Sequence, residues 1–345
     1  MNLQLLNTLY VLTPDAYVRL DHDTLRVEAE RVKLLQAPIQ HLGAIYLFGN
    51  AMISAKAMHR CAAEGRAVAF FDHAGRFKAR VVGPVCGNVL LRQAQHEARA
   101  DSAATLKIAA AIVAGKCQNV HRSLLRGARD AKDEPRAERL RTAAGKIAAL
   151  IETLPERKSV DEARGVEGQC AALSFDVFGD LLTTPTGEFA FKTRSRRPPR
   201  DRTNALLSFF YALLAADCTS ACEGVGLDPQ FGYLHEIRPG RPALALDLME
   251  EFRPILAERL AVTLINRRQI KPEHFDVREE AGGSVLLNEE GRKVALTAYQ
   301  KRKQEEATHA FLGTKIPLGL APHVQARILA RHLRGDIDGY APFIL

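Results

Sequence analysis

An α+β protein, with a β-rich N-terminal domain followed by a larger all-helical one, is what these 345 residues predict. Three observations carry that expectation. Short apolar or alternating runs crowd the chain from Leu3 to Gly83, and apolar residues at helical spacing dominate beyond it. The change of period coincides with the turn residues Gly83, Pro84 and Gly87. The domains are therefore drawn at 1–84 and 85–345. A hydrophobic fraction of 47% with 26% charged residues supports a real core and excludes disorder for most of the chain.

In order along the chain, LQLLNTLYVL, AYVRL, TLRVEA, AIYLF, AVAFF and FKARVV read as strands, separated by turns such as Asp21 to Asp23 and HAGR. SAKAMHRCAAE (Ser54 to Glu64) reads as one covering helix that stops at Gly65. Beyond Gly87, four segments place apolar residues on one helical face: NVLLRQAQHEARA, AATLKIAAAIVAGK, RAERLRTAAGKIAALIETL and VEGQCAALSFDVFGDLL. Breaks are expected at Pro155, Thr183 to Pro199, Gly224 to Pro242 and Gly282-Gly283, where DVREEAGGSVLL reads as a small hairpin before another helix.

Lys plus Arg exceeds Asp plus Glu by 48 − 40 = 8, which favours a polyanionic partner. The longest stretch free of charged residues, Leu34 to Ala55, is broken by Pro38, His41 and Asn50, so no membrane span is expected. Met1 is followed by NLQLL with no secretory pattern, which makes a cytoplasmic protein the expectation. Six cysteines, none in a CxxC pair, read as reduced packing residues, Cys218 and Cys222 included.

Chemistry concentrates in GYLHEIRPGRPALALDLMEEFRP, Gly232 to Pro254. Asp247 and Glu250 are three apart, so both carboxylates leave one face of a helix, and His235 can fold back over it from the preceding loop. A loop histidine is more often packed or solvated than ligating, and an i, i+3 acid pair is usually solvated. Here, however, Asp247 lies among leucines, where an acid is costly unless a cation or a donor compensates it. A third ligand must come from elsewhere. Glu167, between Gly165 and Gly168 at the head of a helix, is one of several candidates.

RGVEG, NALLSFFYALL from Asn204, the Gly232 to Pro254 block and GRKVALTAYQKR after a hairpin, in that order, resemble the CRISPR-associated integrase family, the first Cas protein (Cas-one), over nearly the whole chain. The resemblance implies that Glu167, His235 and Glu250 bind the metal, with Asp247 as an accessory acid. Many relatives carry Asp at the final position, so Glu250 reaches one methylene further. It implies an N-terminal dimerisation domain and a C-terminal catalytic domain. It also implies a homodimer, a small Cas-two protein dimer as partner in a larger complex, and double-stranded DNA (captured fragment and CRISPR repeat) as substrate. The reaction implied is attack of a DNA 3′-hydroxyl on a phosphodiester, inserting a new spacer; with water as nucleophile the same centre is an endonuclease.

Two carboxylates and an imidazole suit Mg²⁺ or Mn²⁺, and the lack of a GxxxxGK[ST] loop fits a reaction without ATP. Arg253, Arg238 and Arg241 are expected to contact phosphates near the metal. A basic run of Lys192, Arg194, Arg196, Arg197, Arg200 and Arg202 is a candidate DNA clamp. Arg122, Arg126 and Arg129 recur at helical spacing, but Asp130, Asp133, Glu134 and Glu138 follow closely, and a solvated helix is expected there. Asn204 suits an N-cap and Tyr211 a core position. Two rivals stay open: a catalytically silent DNA-binding scaffold and a branched-DNA repair nuclease.

Overall fold

In the computed structural model, which describes residues 6–83, 89–183, 187–278 and 283–345, the N-terminal alternating runs become two four-stranded sheets. The elements are β1 (Asn7–Val11), β2 (Tyr17–Asp21), β3 (Thr24–Ala29), β4 (Val32–Pro38), β5 (Leu42–Phe48), β6 (Met52–Ile53), α1 (Ala55–Ala63), β7 (Ala67–Phe71) and β8 (Phe77–Val81). One sheet runs β1-β5-β7-β8, with β5 parallel to both neighbours; the other runs β4-β3-β2-β6. Because successive side chains alternate across a strand, β5 serves two cores. Ile45 and Leu47 join Leu9, Val18 and Leu25 between the sheets and α1, while Tyr46 and Phe48 enter the helical core. That two-sided burial is why LGAIYLF is nearly continuously apolar.

Ser54 caps α1 by accepting the Ala57 N–H, and Gly65 follows at φ +66°, as the sequence predicts. β4 was not expected. It is an edge strand with Val32, Leu34 and Leu35 all exposed, so it carries no alternation to read. The turn residues Pro84 and Gly87, and Cys86, lie outside the described residues.

Helices then dominate: α2 (Val89–Ala100), α3 (Ser102–Asp130), α4 (Glu134–Glu152), α5 (Val160–Asp176), α6 (Arg202–Val225), α7 (Ala243–Phe252) and α8 (Arg259–Asn266). β9 (Phe275–Arg278) and β10 (Ser284–Leu287) form the expected hairpin, whose tip is outside the described residues. α9 (Glu289–Gln304) follows. A second hairpin, β11 (Glu306–His309) and β12 (Thr314–Pro317), corrects the all-helical expectation for this half; its strands of four residues are too short to show a period. α10 (Ala321–Leu333) ends the series.

α6 is long and apolar enough to cross a membrane by length and composition, a feature the search from Leu34 to Ala55 passed over. It is instead a core helix, with 67% of its apolar window buried. Asp217 in its middle is held by the Tyr46 and Tyr299 hydroxyls and the Lys303 ammonium, each at 2.9 Å, and so ties β5 and α9 to α6. α3 packs on α4, α5 and α7, and this junction positions the site.

Candidate active site

Three helices meet at Lys116. It sits on α3 among Ile112, Val113, Cys117 and Val120, only 6% exposed. Its ammonium contacts the Glu167 carboxylate of α5 and lies 2.6 Å from Glu250 Oε2 on α7, partners 51 and 134 residues away. Burial alone would lower the Lys116 pKa, but Glu250 and Glu167 raise it, and the net direction is up. Burial pushes Glu250 the other way from its charged form, yet Arg253, Lys116 and His235 overcome it and hold the carboxyl well below the usual range. Both groups are therefore charged at neutral pH.

Asp247 anchors the histidine loop. Its Oδ2 accepts the Tyr233 and Leu234 N–H groups at 2.6 and 3.0 Å, and its Oδ1 accepts the His235 N–H at 2.8 Å and faces His235 Nδ1 at 2.7 Å. That cradle fixes the residue at 232 as glycine, since a Cβ would lie 2.7 Å from both Asp247 Oδ2 and the Ala243 carbonyl carbon. With Nδ1 engaged, His235 Nε2 is left facing Glu250 Oε1 at 3.8 Å. A second tie comes from RGVEG itself: Arg164 Nε donates to the Leu234 carbonyl at 2.7 Å and joins the helix of Glu167 to the loop of His235.

Beyond Glu250 the helix widens into a π-helical turn, Arg253–Glu258, where Pro254 supplies no N–H to continue the α pattern. The Arg253 Nε forms an ion pair with Glu250 Oε1 at 2.9 Å, and its guanidinium lies 4.7 Å from the centre of the Tyr211 ring. Arg194 approaches the same ring at 5.3 Å, and the Tyr211 hydroxyl donates to Glu258 at 2.7 Å. Tyr211 is thus a spacer between two guanidinium groups.

Next to Glu250, Glu251 is fully buried and turned away from the cluster. It accepts from the Phe343 N–H at 2.6 Å, the Tyr340 hydroxyl at 2.5 Å and Gln325 Nε2 at 3.0 Å, while burial pushes its carboxyl up to about 8. Asn119 donates to the Glu251 and Phe343 carbonyls, which binds the segment around Phe343 to α3 and α7.

Glu167, His235, Asp247, Glu250 and Arg253 are brought together as the sequence led one to expect, with one local correction. α5 starts at Val160 under a Ser159 cap, so Glu167 is in mid-helix and not at its head. A Cβ at Gly165 or Gly168 would meet nothing within 4 Å, so the helix beside Glu167 is open on that side. Arg238 pairs with Glu236 on the exposed loop, and among the described residues neither it nor Arg241 pairs with Glu167, His235 or Glu250. Arg196 and Arg197 are exposed and away from the cluster contacts. Asp201, not Asn204, caps α6, while Asn204 fastens the basic loop by accepting from Arg194 and Ser195.

Lys116 escaped the sequence reading. A lysine on the apolar face of α3 is the signal that could have found it, because such a position demands a buried counter-charge. As arranged, no three of the described His, Cys, Asp and Glu side chains are spaced to hold a metal, because the Lys116 ammonium stands between the two carboxylates. The donor set nevertheless fits a divalent ion: two carboxylates, plus an imidazole whose other nitrogen is oriented by a carboxylate. Three carboxylates, Glu167, Asp247 and Glu250, and two cations, Lys116 and Arg253, are gathered with the His235 imidazole in one cluster.

The chain is 52% identical over 340 residues to CRISPR-associated endonuclease Cas1 1 of Moorella thermoacetica, covering 99% of this chain and 98% of that one. Its fold is similar to a casposase solved bound to its integration product (TM-score 0.83, 20% identity, 97% and 93% of the two chains). It is also similar to a chain of a Cas6-RT-Cas1–Cas2 complex (TM-score 0.82, 22% identity, 98% and 36%). With the model of the CRISPR associated protein Cas1 family matching residues 9–301 as well, the chain belongs to that family.

Proposed function

We propose that this Cas1-family endonuclease is a divalent-metal-dependent strand-transfer integrase that inserts captured double-stranded DNA fragments into a CRISPR repeat in the cytoplasm. In this reading it works as a homodimer with a small Cas2 protein. One observation carries it: Glu167 and Glu250, from different helices, grip the same buried ammonium while His235 Nε2 points at Glu250. A purely structural scaffold has no need to gather these groups beside the open face at Gly165 and Gly168. The casposase neighbour, solved with an integration product, supports strand transfer, and the Cas1–Cas2 neighbour supports the partner.

Glu167, His235 and Glu250 would hold Mg²⁺ or Mn²⁺ once Lys116 swings aside. The bound cation would supply stabilisation of the negative charge that grows on the phosphoryl oxygens. Asp247 holds the imidazole so that Nε2, and not Nδ1, faces the centre. Arg253, braced by Tyr211, presents a guanidinium at the edge of the cluster for a phosphate oxygen. In the transfer, the incoming 3′-hydroxyl gives up its proton as its oxygen bonds to phosphorus, and the target's P–O3′ bond breaks as the leaving oxygen takes up a proton, so protons balance across the exchange. One phosphodiester replaces another, so no nucleotide is hydrolysed.

The test is joining of 3′-hydroxyl fragments to a plasmid bearing a repeat, with Mn²⁺, with chelator, and with Glu167→Ala. Metal-dependent joining at repeat borders, lost in the variant, is expected. Unchanged joining by Glu167→Ala refutes the catalytic reading, and cleavage of branched DNA without joining favours a repair nuclease.

A further inference from the structure

Residues 340–345 form neither helix nor strand, yet they are packed into the fold behind the carboxylate cluster. Phe343 is fully buried, its ring centre 5.4 Å from those of Phe252 on α7 and His309 on β11. An irregular segment buried in this way needs its backbone groups answered by something other than a helix or a sheet. Side chains of α3 and α7 answer them. The Phe343 N–H donates to Glu251 at 2.6 Å, and the Phe343 carbonyl accepts from Asn119 at 2.8 Å. The Leu345 N–H donates to Asn119 Oδ1 at 2.9 Å, and the Leu345 carbonyl accepts from Arg122 at 2.8 Å.

These contacts stand next to members of the cluster. Glu251 follows Glu250 on α7, and Asn119 is about one helical turn beyond Lys116 on α3. Asn119 Nδ2 also donates to the Glu251 carbonyl at 3.0 Å, so one side chain holds the segment and both helices. Gly115 immediately precedes Lys116, and a Cβ there would lie 2.7 Å from Pro342 Cβ and 3.2 Å from Glu251 Cγ. Only bare backbone lets α3, α7 and the segment meet so closely. From the far side, Gln325 Nε2 on α10 lies within 3.0 Å of Glu251 Oε2, the Tyr340 hydroxyl oxygen and the Ala341 carbonyl. Among the described residues, no hydrogen bond joins the segment itself to Lys116, Glu167, His235 or Glu250. Its influence on them runs through the two helices.

That influence is geometric. A helix with its side chains is about 10–12 Å across, so a turn of about 10° about the α7 axis carries the Glu250 carboxylate by about 1 Å. Ligands of a bound cation must hold their distances to within about 0.2 Å. Burying the Glu251 carboxylate is costly, and what a fully answered polar network gives is a rigid, single orientation of the helix.

We propose that residues 340–345 are a strap that fixes α7 against α3, with Asn119 and Tyr340 as positioning residues for the cation held by Glu167, His235 and Glu250. The inference rests on that cluster being a cation site.

The experiment titrates Mn²⁺ into metal-free protein without DNA, reading free Mn²⁺ by electron paramagnetic resonance well below the melting range. The proteins are the parent, Asn119→Ala, the milder Tyr340→Phe, and Leu25→Ala as a control that removes core packing in the β-rich domain. Asn119→Ala is expected to raise the Mn²⁺ Kd about tenfold. Tyr340→Phe, which deletes one hydroxyl donated to Glu251, is expected to raise it about threefold. Leu25→Ala lowers the melting temperature and leaves the Kd at the parental value. In the joining assay at one fixed, subsaturating Mn²⁺ concentration, the two strap variants lose kcat and keep the parental KM for the DNA fragment. Strap variants that stay folded, as a thermal melt registers, and bind Mn²⁺ with the parental Kd overturn the proposal. Glu167→Gln separates the two claims: Mn²⁺ binding lost in Glu167→Gln upholds the cation site whatever the strap does, and binding that survives it refutes the site itself.

Discussion

Replacing Lys116 by Met leaves two carboxylates facing each other with the bridging charge gone. Glu250 is 3% exposed and Lys116 6%, so the lost pair is a buried one, and removal of one partner of such a pair costs about 3–5 kcal/mol. Arg253 remains 2.9 Å from Glu250 Oε1 and holds the effect near the lower figure, about 3 kcal/mol. At about 2 °C per kcal/mol for a chain larger than 150–250 residues, melting in EDTA falls by about 6 °C. Mn²⁺ then acts unequally on the two proteins. The parent must displace its own ammonium, whereas the variant offers a vacated position between two anions. Mn²⁺ at a hundred times its Kd adds about 2.7 kcal/mol and returns most of the loss to Lys116→Met, with a smaller gain for the parent. Scanning calorimetry in EDTA and in Mn²⁺, with Lys116→Arg as the charge-preserving control, reads both effects. A variant that melts with the parent in EDTA, or one that Mn²⁺ leaves unmoved, shows that Lys116 does not stand in the cation's place.

Three further outcomes follow from the contacts. Asp247→Asn puts a donor where the Tyr233 and Leu234 N–H groups need an acceptor; it should cost about 2 kcal/mol and lower joining at least tenfold, measured by melting and by the joining assay. Glu251→Ala leaves the Phe343 N–H and the Tyr340 hydroxyl without their acceptor, while Gln325 Nε2 keeps the Ala341 carbonyl, and should cost about 3 kcal/mol, with the bonds beyond Gly339 newly open to limited proteolysis. His323 is held below the ordinary imidazole range by burial and by Arg327, so the folded state binds fewer protons than the unfolded chain as pH falls through about 6.5. Stability is therefore lost on acidification, and His323→Gln should show a smaller drop in melting temperature than the parent between pH 8 and pH 5.

Periodicity made most of the fold legible. β5 is readable because both its faces are buried, and α1 because Ser54 and Gly65 mark its ends. β4 was not, since an exposed edge strand has no inner face to set an alternation, and the β11–β12 hairpin was not, since four residues show no period. The position of Glu167 was misread as a helix head because Gly165 and Gly168 look like a start, whereas Ser159 supplies the cap. At the site, the acid pair and the histidine were visible as chemistry in one segment, and Glu167 came from the resemblance. Lys116 and Arg164 were not visible, because each acts only through a partner dozens of residues away.

Everything in the proposed chemistry requires one divalent ion to replace the Lys116 ammonium between Glu167 and Glu250. Crystals soaked in Mn²⁺ and measured at the manganese absorption edge answer this. The expected map has a single strong anomalous peak ligated by a Glu167 oxygen, a Glu250 oxygen and His235 Nε2, with Lys116 turned away. No peak there, with the ammonium still bridging the two carboxylates at saturating Mn²⁺, would contradict it.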